Sequence, residues 1–242
     1  MKAILAILVL GGFGILGGAL PGAPQGWAME PRRGCPRCGC QAGHCGAGIP
    51  SHMNCGSATP ADRERVQGRV NTLKNSIDQA VSPEVKNCNV LVQKVAASMG
   101  YRGFSGMTAD QMLEHLAGSE ANVKRAVAEG WTFLSPDATP QRPTPMSVDE
   151  AMQYANAGRM VIALVHSGMR NQVKPPGDNG GQNYTHGHAF IVMPGGRSGD
   201  GWKGCPVANA GSGRDPSARK TQANLVTREW ERPIFTFWVL AP

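Results

Sequence analysis

The hydrophobic pattern changes its period near Gly158, and that change limits the folds open to this 242-residue chain. Before it, apolar residues recur at helical spacing. Val66, Val70, Leu73 and Ile77 mark one face of a helix over 61–81, because steps of three and four stack side chains on one side of an α-helix. Ser82-Pro83 breaks that run. A second helix is expected from about Glu84 to Met99, with Cys88, Leu91, Val92, Val95 and Met99 on one side and Gly100 as its stop. Thr108-Ala109-Asp110-Gln111 and Ser147-Val148-Asp149-Glu150 are capping boxes, each opening a short helix, the second ending near Gly158. Another short helix is expected over Glu120 to Glu129, and the proline-rich stretch from Pro136 to Pro145 reads as a loop. After Gly158 the signal is that of strands. Met160–Val165 and His188–Met193 are continuous apolar runs, as in buried strands. Pro206–Ala210 is a shorter candidate, and Ile234–Leu240 alternates Phe235, Phe237 and Val239. Ser167 to Thr185 reads as a long, polar, glycine-rich loop placed to gate a cleft or shape its specificity. Helices first and strands afterwards predict an α+β domain over 61–242, with an antiparallel sheet packed on the helix that carries Cys88. No internal repeat is visible.

The first 60 residues read differently. Met1-Lys2 is a short basic start, Ala3 to Leu20 is almost wholly apolar or glycine, and Gly26-Trp27-Ala28 is a tolerable cleavage site. Residues 1–28 therefore predict a signal peptide and a secreted or periplasmic protein. An uncleaved leader would instead be a membrane anchor, since the apolar run is about long enough to span a bilayer. Residues 29–60 form a segment rich in Cys, Gly and Pro, with Cys35, Cys38, Cys40, Cys45 and Cys55 crowded together. It is too small to build a core and needs staples. Cys35-Pro36-Arg37-Cys38 looks like half of a zinc ribbon, with His44 and His52 nearby, but a second Cys-x-x-Cys at ribbon spacing is missing. In an oxidising compartment disulfides are favoured over zinc, and without export that order reverses. Cys88 and Cys205 complete an odd total of seven, so at least one thiol is free or pairs between chains. The net charge is +7, and loss of Lys2 with the leader leaves +6. A basic exported protein suits anionic partners such as cell-wall polymers. Scattered basic residues, few aromatics and no nucleic-acid motif argue against a nucleic-acid partner.

The chemistry centres on two residues. Cys88 stands at the head of its expected helix, where unpaired N–H groups and the helix dipole stabilise a thiolate. His188 stands at the mouth of a strand, where an imidazole can take the thiol proton and return it to a leaving amine. The quieter readings are a core or bridged cysteine, with Cys205 as the partner, and a histidine that is only a satisfied polar residue.

Asn87-Cys88 followed by Leu91-Val92, Gly187-His188 followed by Phe190-Ile191-Val192, and Pro206-Val207-Ala208-Asn209-Ala210-Gly211 occur in this order. Ala155-Asn156-Ala157-Gly158 before Val161-Ile162-Ala163 adds a helix–strand step. Over residues 84 to 240 this layout resembles the papain-like cell-wall cysteine amidases and peptidases of the NlpC-like and CHAP types. The resemblance implies Cys88 as nucleophile, His188 as base and acid, and Asn209 as the residue that orients the imidazole. It implies an oxyanion held by the Cys88 N–H with help from Asn87, no metal or cofactor, and peptidoglycan or muropeptides as substrate. Asn87-Cys88-Asn89 departs from the Asp-Cys-Ser or Gln/Asn-Cys-Thr of many relatives, and Asp200 competes with Asn209 for the third place. His186 reads as a rim residue. Two other functions stay open. His186 and His188 form a His-x-His that could bind zinc, as in lysostaphin-type endopeptidases, but no histidine supplies the His-x-x-x-Asp those enzymes also need. A stapled secreted binding module without catalysis would explain the cysteines and the charge, but not the pairing of Cys88 with His188.

Overall fold

In the computed structural model, residues 60–241 are described, apart from 137, 140, 143, 197, 198, 200 and 212–215. They belong to the compact unit Arg33–Pro242; the other unit, Met1–Arg32, lies outside the described residues. The expected signal peptide, the Cys-rich segment up to residue 59 and Asp200 therefore lie outside them too. No helix among the described residues is long and apolar enough to cross a membrane.

The helical half contains α1 (Pro60–Ala80), α2 (Cys88–Ser98), α3 (Ala109–Ala117) and α4 (Glu120–Ala128). A two-residue strand β1 (Trp131–Thr132) and helix α5 (Val148–Asn156) follow. Both expected capping boxes form: Thr108 and Gln111 close the start of α3, and Ser147 and Glu150 that of α5. Each satisfies two N–H groups that a helix start would otherwise leave open. The second half holds β2 (Val161–Val165), α6 (Ser167–Val173), β3 (His188–Val192), α7 (Gly201–Gly204), β4 (Pro206–Asn209), β5 (Arg219–Gln222), α8 (Ala223–Val226) and β6 (Thr236–Leu240). Short 3-10 turns lie at Asp178–Gly181 and Glu229–Ile234.

The strands form one six-stranded sheet in the order β1-β6-β2-β3-β4-β5, and every neighbouring pair is antiparallel. This is the α+β arrangement the periodicity predicts. The central strands β2 and β3 are buried along their whole length, as continuous apolar runs covered on both faces must be. Alternate side chains feed two separate cores. Ile162, Leu164, Ala189, Ile191 and Ala208 meet Leu91, Val92 and Val95 of α2 and Met112 and Leu116 of α3. Val161, Ala163, Val165, Phe190, Val192 and Val207 meet Met152, Tyr154 and Ala155 of α5 on the other face. Leu91, Val92 and Val95 are completely buried, and each such aliphatic side chain contributes about 1.5–3 kcal/mol by leaving water.

Two details differ from the sequence reading. The second helix starts at Cys88 rather than Glu84. Residues 82–87 are held outside it: Val85 N–H bonds to the Ser82 carbonyl at 3.1 Å, and the Val85 carbonyl accepts from Ala218 N–H at 2.8 Å. The stretch from Ser167 to Thr185 is also not all loop, because α6 occupies its first third. The start of α6 is anchored by Asp110, whose carboxylate accepts the Ser167 N–H at 2.9 Å and the Ser167 hydroxyl at 2.6 Å. Both anchors come from distant parts of the chain.

Candidate functional site

The delayed start of α2 makes Cys88 its first residue. Asn87, the residue before it, is extended at φ −117° and ψ 134°, and its exposed side chain makes no capping hydrogen bond. The first intrahelical bond of this end runs from Leu91 N–H to the Asn87 carbonyl. The N–H groups of the preceding residues are therefore directed out of the helix end. Asn89 is held in another role: its amide donates to the Met107 carbonyl at 2.9 Å, beside Gln93, which donates to the same oxygen at 2.7 Å.

Gly211 keeps the space in front of Cys88 open. Its φ is +74°, in the region that favours glycine. A Cβ there would lie 3.2 Å from the Lys86 carbonyl oxygen and 3.4 Å from the Cys88 nitrogen. We expect Gly211→Ala to place a methyl over that N–H and to strain the backbone. The result should be a stability loss of about 1–2 kcal/mol and, where the Cys88 N–H holds an oxyanion as the resemblance implies, a roughly 100-fold fall in kcat. Denaturant melts and steady-state kinetics on the same preparation separate the two, and unchanged kcat would mean that this N–H takes no part.

Cys88 and His188 line one cleft of about 880 Å³ at the end of the sheet where β3 begins and β4 ends. Arg170, Tyr184, His186, Gly211, Leu225 and Glu231 also line it. The two reactive groups reach it from different sides. Cys88 packs with the α2 core, and the backbone N–H of Ala189, the residue after His188, favours its thiolate. The His188 side chain lies on the opposite face of β3, paired with Val165 and with its ring 6.3 Å from those of Phe190 and Phe235. No hydrogen bond joins the thiol to the imidazole. Such contacts are often loose before substrate binds and tighten in the complex.

Burial dominates the electrostatics of both groups. It pushes the Cys88 thiol up, against the pull of the N–H groups of Ala189, Asn89 and Cys88 itself and of the Arg170 charge. It pushes His188 down to about 4, and Arg170 adds to that fall. Asn209, buried on β4, acts on the ring as a hydrogen-bonding neighbour that raises its proton affinity. This contact falls short of full geometry, since Nε2 of His188 is enclosed and has no partner at normal hydrogen-bond distance and angle. At neutral pH the pair rests as a thiol and a neutral imidazole.

The structure thus brings Cys88, Asn87 and His188 to one cleft and Asn209 to the imidazole. Asp200, the alternative to Asn209, lies outside the described residues. Cys88 and Cys205 are not bridged to each other. A bridge between them is ruled out by placement, because Cys205 is fully buried in the α5 core on the other face of the sheet. His186 is exposed while His188 is buried, and among the described residues no three His, Cys, Asp or Glu side chains are grouped to hold a metal ion. Among the cleft residues, Arg170, Tyr184 and Glu231 were missed by sequence reasoning, and Gly211 was seen only as the end of a strand motif. No family model matches this chain, and no curated protein matches it.

Proposed function

We propose that the protein is an exported cysteine hydrolase that cleaves an amide bond in peptidoglycan or muropeptides. The observation that carries this reading is a single cleft lined by a thiol at the first residue of a helix and by a buried imidazole at the start of the neighbouring strand. In this reading Cys88 Sγ attacks the amide carbon and its proton passes to His188. The oxyanion is held by the Cys88 N–H, with the uncommitted Asn87 amide beside it. Collapse expels the amine, which takes the proton from His188, and leaves a thioester on Cys88. Water then attacks the thioester with His188 as base, releasing the acid and restoring the thiol. Asn209 orients the imidazole, as the third member of a triad does. A pair that rests uncharged separates charge only when substrate is bound, so the first step rises as pH climbs past about 4, where His188 loses its proton, and is level through the neutral range. The expected leader supports export, and the net charge of +7 suits an anionic wall polymer.

The test is to incubate the full-length protein with peptidoglycan sacculi and identify released fragments by mass spectrometry. Fragments whose release is blocked by iodoacetamide and unaffected by chelator support the proposal and name the bond. Release blocked by chelator but not by iodoacetamide moves the chemistry to His186, His188 and a metal. No release at all rejects a peptidoglycan hydrolase.

A further inference from the structure

Arg170 is the largest charged feature of the cleft that this chemistry leaves unassigned. It projects from α6 and is mostly buried. Its Nη2 donates to Glu231 Oε1 at 2.7 Å, and Glu231 is itself 2% exposed. Its Nη1 donates to the His186 carbonyl at 3.3 Å, two residues before His188. The guanidinium carbon lies 3.6 Å from the centre of the Tyr184 ring, within the range of a cation–π contact. The next residue on α6 completes the grip. Asn171 accepts the Tyr184 N–H at 2.7 Å and donates to the Tyr184 carbonyl at 2.9 Å. The Tyr184 hydroxyl donates to Asp178 at 2.6 Å, and Asp178 also pairs with Arg228. Consecutive residues of one short helix therefore hold the chain that leads into β3.

We propose that Arg170 is the positioning residue of this cleft: it fixes the approach to His188 and places one buried positive charge beside both the thiol and the imidazole. A cation so placed favours the thiolate of Cys88 and disfavours protonation of His188. Its charge acts on both groups. The other titratable or charged groups lining the cleft are His186, Tyr184, Arg228 and Glu231. Arg228 is paired with Asp178, and Glu231 with Arg170 itself. Asp110, on the α3 side, lies against Gly187 and is bonded to Ser167. The charge that acts on both members of the pair is that of Arg170, and Glu231 is its partner. The proposal builds on the reading of Cys88 as a nucleophile, but it is tested on thiol reactivity, which needs no substrate.

The experiment is the pH profile of Cys88 alkylation by iodoacetamide in the folded full-length protein, with the modified cysteine identified by peptide mass spectrometry. Removing Arg170 alone would strand a buried carboxylate, so the informative variants are R170M/E231Q and E231Q. R170M/E231Q should move the profile to higher pH and slow alkylation at pH 7 about tenfold. E231Q, which leaves the cation unbalanced, should move it to lower pH, and R170K should keep the wild-type profile. Opposite shifts in the two charge variants are not expected from a purely structural role. The proposal is overturned if either folded variant superposes on wild type, if both shift the same way, or if wild-type Cys88 is not alkylated. Should R170M/E231Q fail to fold, the sign of the E231Q shift decides. Normal shifts in a protein that releases nothing from sacculi would retain Arg170's role and reject the hydrolase.

Discussion

Cys88→Ala is expected to lower the kcat for amide hydrolysis by about 10⁴-fold or more while the protein stays folded. The size follows from what the residue supplies. A triad that loses its nucleophile keeps only the rate that its oxyanion site and substrate binding provide. The variant removes one half-buried sulfur at the start of α2, and the three residues that anchor this helix, Leu91, Val92 and Val95, remain fully buried. Its stability should fall by no more than about 1 kcal/mol, as for a small truncation outside the fully buried core. The measurement is product release per enzyme with matched urea melts. Cys88→Ser is a second control, because a hydroxyl of similar shape lacks the thiol's nucleophilicity and should be nearly as inactive. Activity within tenfold of wild type in both folded variants would sink the assignment of Cys88 as nucleophile.

The second large effect is on stability in acid. His188 is held near 4 in the folded protein, against 6.5 for a free histidine. Burial is the main cause, with Arg170 second. The sign follows from proton uptake: between pH 6.5 and 4 the unfolded chain binds a proton that the folded protein refuses. The contribution of His188 is therefore complete above pH 6.5, is lost as pH falls, and stops changing below about pH 4. The difference corresponds to about 3 kcal/mol at 1.36 kcal/mol per pH unit. Carboxylates also titrate in this range, so the comparison must be with a variant. His188→Gln keeps a polar side chain of similar size and removes the titration. Urea melts from pH 7 to 4 should show wild type losing about 3 kcal/mol more than the variant. Parallel curves would mean that the imidazole can be protonated in place, and so is not enclosed as described.

Features set by neighbouring residues were legible in the sequence. The capping boxes at Thr108 and Ser147 fix helix starts with contacts three residues apart, and both form. Strands β2 and β3 announced themselves because burial on both faces demands unbroken apolar runs. What depended on distant partners was lost. The start of α2 is set by Ala218 bonding Val85, and the start of α6 by Asp110 bonding Ser167. Strand β5 reads Arg-Lys-Thr-Gln, which carries no hydrophobic signal because it is a sheet edge. In the site, Cys88 and His188 stood out through motifs at element ends. Arg170 did not, since an arginine in a polar stretch reads as solvated until Glu231 and Tyr184 are known to enclose it. Gly211 was visible only as the end of a strand motif; its role depends on lying against Cys88 N–H, far away in sequence.

The thiol packs against one core, and the imidazole, carried on β3, sits near Phe190 and Phe235 of the other. Neither core aligns them alone; their separation is a sum of two packings, one on each face of the sheet. A cavity made deep in either layer, at Leu91 or at Phe190, would shift one group relative to the other without touching the cleft. For the proposed hydrolase, catalytic competence would then be a property of both layers together, and activity would decay under heat or denaturant before the helices and strands themselves are lost.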